Sequence, residues 1–239
     1  MMRLIVALLL LVLPRTAAAG EVAVAVASNF LTTAEELAQK FEADTGHTVT
    51  MSHGATGQLY AQIDAGAPFD VFLAADAKRP ELLVQSGRAS DTGTYALGKL
   101  VLVGSSDIAR DSASEVVVGR TVALADPTVA PYGLASTAAM ERLKLDTATF
   151  RPVLVANVGQ VATVFASGNA DFAFVSAAQV PLLNPSSALE LDGLHPSITQ
   201  DAALLTRAQN NPAAAAFWNW LFSNNATSLI ARSGYDLPE

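Results

Sequence analysis

The sequence predicts an α/β fold of two lobes, each a mostly parallel sheet flanked by helices, with two strand crossings as the hinge. Three observations carry this expectation. Short apolar strands alternate with helical stretches along most of the chain, the alternation runs as two separate series, and no long Gly/Ser- or Pro-rich linker divides them. Such a junction favours strand hinges over a floppy tether.

The first series starts with a strand at 22–27. The helix expected at 30–43 sets Leu31, Ala34, Leu37, Ala38 and Phe41 on one face, and Gly46 stops it. A strand at 48–51, a helix at 58–65 ended by Gly66-Ala67-Pro68, a strand at 70–74 and a helix at 80–86 complete a doubly wound βαβαβα order. The second series opens with a strand at 99–103. It continues with a strand at 121–125, a helix over about 133–143, a strand at 153–156 and a helix over about 159–167. A strand at 171–175 and a short helix near 177–180 close it. A strand at 201–206 resembles 100–103 in character, and the two are expected side by side as the crossings. Helices at 212–222 and 226–232 then return to the first lobe. The division is therefore 20–98 plus 204–239 for one lobe and 99–203 for the other. The two series are alike in style but show no repeat of sequence.

Residues 1–19 read as a signal peptide. Met1-Met2-Arg3 gives a positive start, an apolar run of about ten residues follows, and Ala17-Ala18-Ala19 fits a cleavage site before Gly20. A membrane-spanning helix needs roughly 20 apolar residues. No cysteine follows the run, which excludes a lipid anchor on a cleaved N-terminal Cys. The expected location is the periplasm, as a free protein and a monomer. The chain has no Cys, so its fold relies on no disulfide and offers no thiol nucleophile or Cys metal site. Removing Arg3 and Arg15 leaves 12 basic against 22 acidic residues, which argues against nucleic acid and anionic membrane surfaces as partners. An anionic ligand stays possible if its site is built from backbone N–H groups at helix starts, whose field is local.

Four strand-to-helix junctions have that character: Ala27-Ser28-Asn29-Phe30, Gly54-Ala55-Thr56-Gly57, Ala130-Pro131-Tyr132-Gly133 and Ala156-Asn157-Val158-Gly159. Ligands of open α/β sheets sit at the carboxyl ends of strands, where the first helical N–H groups lack partners. Ser28 and Thr56 add hydroxyl donors, and no Lys or Arg occurs at any junction. Taken alone, Ser28 reads more readily as an ordinary N-cap, Tyr132 equally as a turn residue, and Val158 offers only its backbone. Their combination in this order is more specific than any one of them.

The chain resembles the periplasmic molybdate-binding protein family (ModA type) of ABC importers. The resemblance rests on Ala25-Val26-Ala27-Ser28-Asn29-Phe30, on 62–72, on Ala74-Ala75-Asp76, on Ala125-Asp126-Pro127 and on Pro131-Tyr132-Gly133. Asn157-Val158, Ser167-Gly168-Asn169-Ala170-Asp171 and the closing Ala231-Arg232-Ser233-Gly234-Tyr235 extend it over both lobes. It implies a two-lobed periplasmic binding protein fold of type II-like design that holds molybdate or tungstate by neutral donors. It also implies delivery to an ABC permease in the inner membrane. By position, Ser28, Thr56 and the backbones of Asn29, Tyr132 and Val158 would bind the anion. Some relatives add a Tyr hydroxyl where this chain has Ser176, a shorter side chain, and Tyr132 belongs to a variant arrangement that takes its place.

Other chemistry is poorly supported. Asp70 and Asp76 read as loop and cap residues, since acids beside an anion would repel it. His47, His53 and His195 lack metal-ligand spacing, and Phe217, Trp218 and Trp220 read as core. No cofactor or metal is expected, and no enzyme. The alternatives are a receptor for sulfate or phosphate, or a periplasmic hydrolase using Ser28 or Thr56, which lacks a third group or a G-x-S-x-G elbow.

Overall fold

A computed structural model describes residues 19–239, so the signal peptide expected at 1–19 lies outside the described residues except for Ala19. The first lobe starts with β1 (Glu21–Ala27), α1 (Leu31–Thr45), β2 (Thr48–Gly54), α2 (Thr56–Asp64), β3 (Val71–Leu73), α3 (Lys78–Gln85) and β4 (Ala89–Gly98). The second holds β5 (Leu100–Gly104), α4 (Ala113–Val116), β6 (Thr121–Ala125), α5 (Pro131–Leu143) and β7 (Arg151–Val155). It ends with α6 (Val158–Ala166), β8 (Phe172–Ser176), α7 (Val180–Leu183) and β9 (Ser187–Glu190). The chain then returns through β10 (Ile198–Leu205), α8 (Pro212–Leu221) and α9 (Asn224–Arg232).

Two five-stranded sheets result, ordered β2-β1-β3-β10-β4 and β7-β6-β8-β5-β9. In the first, β1 runs parallel to β2 and β3, while β10 runs antiparallel to β3 and β4. In the second, β6 runs parallel to β7 and β8, and β5 runs antiparallel to β8. Helices cover both faces of each sheet, which is why strands such as Leu100–Gly104 and Phe172–Ser176 are buried along their whole length. On one face of the first sheet, Phe30, Leu37 and Phe41 pack with Phe217, Leu221 and Ile230. Leu59, Ile63 and Leu83 cover the other face. In the second lobe α5 packs through Ala135, Ala139 and Leu143, and α6 packs on the opposite face through Val161 and Phe165. Each aromatic of these cores contributes about 2–3 kcal/mol by burial.

The hinge differs from the expectation. Strand β10 does not lie beside β5; it lies between β3 and β4, with Ile198 opposite Gly98. Strand β5 lies between β8 and β9 instead. The partner of the returning strand is thus β4, whose polar, Gly-containing sequence has no strand-like alternation. The chain passes from the first sheet at Gly98 to the second at Leu100 with Lys99 alone between them, and pairing with the first sheet resumes at Ile198. The C-terminal segment ties into this point. Leu97 and Asp236 exchange two backbone bonds of 2.8 and 3.0 Å, and Lys99 pairs with Asp236 at 2.7 Å.

Candidate functional site

Two parallel strand ends from each sheet converge across the cleft. After β1 the chain turns directly into a 3₁₀ turn, Ser28–Phe30, and then α1. The N-cap positions here and at α2 and α5 are Ala27, Ala55 and Ala130, which carry no side-chain acceptor, and none of these helix starts has a side-chain cap. Their first N–H groups are therefore left for another acceptor. Only α6 is capped, by Asn157, whose Oδ1 accepts from the Gln160 N–H at 3.0 Å.

Ser28, Asn29, Thr56, Tyr132 and Val158 line one small pocket, and among the described residues no charged one lines it. All five are buried. Ser28 is not a helix cap. Its Oγ accepts the Gly159 N–H from the other lobe at 3.2 Å, and the Thr56 Oγ1 accepts the Ala75 N–H at 3.2 Å. Each hydroxyl is thus fixed as an acceptor, and its own proton is free to be donated into the pocket. A second bond across the seam runs from the Gly57 N–H to the Val129 carbonyl at 2.9 Å. A side chain at Gly57 would crowd the seam, because a Cβ would stand 3.0 Å from the Val129 oxygen and 2.8 Å from the tip of the Arg79 side chain.

Ser176 is placed behind the pocket wall, where its Oγ accepts from the Tyr132 hydroxyl at 3.1 Å. It belongs to a buried polar cluster at the hinge. The Asn29 amide donates to Gln200 Oε1 at 2.9 Å and to the Tyr235 hydroxyl at 3.2 Å, and Tyr235 donates back to the Asn29 carbonyl at 2.7 Å. The single Tyr95 hydroxyl proton is shared between Gln200 Oε1 at 3.2 Å and the Ala74 carbonyl at 3.0 Å. Burial raises the pKa of Tyr95, Tyr132 and Tyr235 well above the usual phenol value, so all three stay neutral donors. Nothing in the local sequence marks Gln200, which is an isolated amide in an apolar strand; Tyr235 stands out only within the closing motif. Ala75 also lines the pocket without having been singled out as a site residue.

The remaining polar residues are elsewhere. Asp70 accepts from the Ala23 N–H at the start of β1, and Asp76, two residues before α3, accepts from the Arg79 N–H at 2.9 Å. None of the histidines lines the pocket, so neither Ser28 nor Thr56 has a base beside it. Among the described residues no group of three or more His, Cys, Asp or Glu could hold a metal.

Two sheets joined by short crossings, with a buried neutral pocket between them, define a two-lobed ligand receptor. Residues 22–236 match the bacterial extracellular solute-binding protein family. The chain is 40% identical to the molybdate-binding protein ModA of Azotobacter vinelandii, over 98% of this chain and 97% of that protein. It is 42% identical to the molybdate-binding protein ModA of Rhodobacter capsulatus, over 92% of this chain and 89% of the relative. Among solved structures, the Azotobacter vinelandii periplasmic molybdate-binding protein superposes with a TM-score of 0.85 at 36% identity, covering 91% of this chain and all of that one. The sulfate-binding protein SubI of Mycobacterium tuberculosis shares the fold, with a TM-score of 0.73 at 15% identity, over 92% of this chain and 88% of that one. This chain belongs to the bacterial extracellular solute-binding protein family, in its molybdate-binding, ModA-type branch. It is a binding protein, not an enzyme.

Proposed function

We propose that this protein captures molybdate between its lobes in the periplasm and delivers it to an ABC permease of the inner membrane. The observation that carries the reading is the uncharged pocket lined by four helix starts, two from each lobe. Ser28 and Thr56 donate hydroxyl protons, and Asn29, Tyr132 and Val158 donate backbone N–H groups. The positive ends of the helices compensate the anion without any side-chain cation. The pocket has no carboxylate to accept a proton from the ligand, so a fully deprotonated oxyanion is favoured over hydrogen phosphate. Tungstate, with the same shape and charge, is held by the same donors. Ser176 acts from behind, through Tyr132. Support also comes from the A. vinelandii and R. capsulatus relatives, both named molybdate-binding proteins.

The moving bodies are the two sheets with their helices, 20–98 with the chain from β10 onward and the stretch from 99 to the β9–β10 connection. Donors on both walls are satisfied together only when the lobes close. The mature protein starts at Gly20 and works as a monomer. Calorimetric titration of ligand-stripped protein with molybdate, tungstate, sulfate and phosphate tests the assignment. One-to-one binding of the two heavy oxyanions with little heat from the others is expected. Preference for sulfate would transfer the protein to another ligand class, and turnover lost in Ser28→Ala with oxyanion affinity intact would make it a hydrolase.

A further inference from the structure

The buried cluster at the hinge has a feature that packing alone does not explain. Gln200 is fully buried, its Oε1 takes bonds from Asn29 and Tyr95, and its Nε2 has no partner among the described residues. The Nε2 and the Tyr132 hydroxyl are neighbours across Gly98, where a Cβ would collide with both. Gln200 therefore stands between one pocket residue of each lobe: it is bonded to Asn29 of the first, and its free amide end faces Tyr132 of the second. Tyr235 reinforces one side by gripping Asn29 twice, at its amide and at its carbonyl. It arrives there from the C-terminal segment, which is tied to the hinge through Leu97 and Asp236.

We propose that Gln200 and Tyr235 are positioning residues for anion capture. They fix the backbone of Asn29 and register it against Tyr132 when the lobes are closed, so that the two halves of the pocket form as a unit. Neither residue lines the pocket. Their effect passes through Asn29 and through the alignment of the hinge strands β4 and β10. This inference rests on the molybdate assignment above.

The test compares wild type, Tyr235→Phe, Gln200→Leu and the double variant. Each is first checked for folding in the ligand-free state by thermal melting, then titrated with molybdate and followed for release by stopped flow. Loss of one buried hydrogen bond translates to about a tenfold change in an equilibrium constant. Tyr235→Phe and Gln200→Leu are each expected to weaken molybdate binding about tenfold, chiefly through faster release. The double variant should lose clearly less than the product of the two, because both act on Asn29. Should Gln200→Leu fail to fold, Gln200→Asn, which keeps an amide but withdraws it, takes its place with the same expectation. Folded variants whose affinity and release stay within about twofold of wild type would overturn the proposal, as would strictly multiplicative losses. If wild type itself shows no molybdate binding, the ligand assignment fails instead, and the two failures are told apart by that control.

Discussion

The two lobes are built on one plan and held together differently. Each ends its second crossover helix at a glycine of positive φ, Gly66 after α2 and Gly168 after α6, and each sets an aspartate just before its third parallel strand. Asp70 brackets Ala23 of β1, donating its N–H to the carbonyl at 2.7 Å and accepting the N–H at 3.0 Å. Asp171 brackets Thr121 of β6 in the same way, with both bonds at 2.8 Å. Beyond this the pair diverges. The Asp70 side chain is 8% exposed and also takes bonds from Arg207 at 2.9 Å and Asn211 at 3.1 Å. Asp171 is 31% exposed, and Arg120, its only cation among the described residues, stands 3.7 Å away. Arg207 and Asn211 belong to the returning chain. The first lobe is assembled from two separate stretches of sequence and uses a buried carboxylate to join them; the second is one continuous stretch and has no such joint.

The comparison can be broken most directly at these two aspartates. Asp70→Ala strands a buried N–H, an arginine and an amide, and should cost about 3 kcal/mol in urea denaturation, against about 1 kcal/mol for Asp171→Ala. Equal costs would mean that the returning chain is held by its apolar packing alone. The next contrast concerns the seam, where one bond joins two backbones and the other uses a side chain. Gly57→Ala should prop the lobes apart at Val129 and weaken molybdate binding about ten- to a hundredfold by calorimetry, given a strain of about 1–3 kcal/mol. Ser28→Ala removes a donor without blocking closure and should cost about tenfold. Small-angle scattering with saturating molybdate should then show a closed form for Ser28→Ala and a more open one for Gly57→Ala.

The smallest effect belongs to Asp201 in β10. Burial raises its pKa, opposed by a 2.7 Å bond from the Thr94 hydroxyl. A folded-state pKa above the unfolded one means that the folded protein binds more protons, so this group's contribution becomes less favourable as pH rises through its titration. Asp201→Asn, which keeps the acceptor for Thr94, should raise the melting temperature near neutral pH by about two degrees or less, with the gain fading as wild type is acidified. A variant less stable than wild type at pH 7 would place the balance with the hydrogen bond.

Much of this architecture is legible in the sequence because local signals and tertiary demands agree. The apolar runs of β1, β5, β6 and β8 lie inside covered sheets, and Gly46, at φ 74°, ends α1 where its residue type indicates. Strand β4 was not legible, since Ser90 to Thr94 are polar and include a glycine, and only β10 beside it makes a strand of it. Strand β9 has only four residues, Ser187–Glu190, too few for a pattern. At the pocket, small residues at strand ends pointed to all four junctions. Capping logic nevertheless misjudged Ser28, because its acceptor role depends on Gly159, 131 residues away. The cluster of Asn29, Gln200 and Tyr235 was beyond reach for the same reason: contacts spanning 171 and 206 residues leave no periodicity to read.

The proposed choice of backbone N–H groups and neutral hydroxyls over side-chain cations as anion holders has a consequence for the working range of the protein. An amide N–H does not titrate, a serine or threonine hydroxyl does not titrate near neutrality, and burial keeps the Tyr132 phenol neutral. With no ionisable group on its wall in a charge-changing range, the pocket presents the same face in mildly acidic and mildly alkaline surroundings. A receptor built on lysine or histidine would loosen or tighten as its environment drifted. On the proposed reading, the hold on the ligand follows the protonation of the oxyanion and not that of the pocket wall.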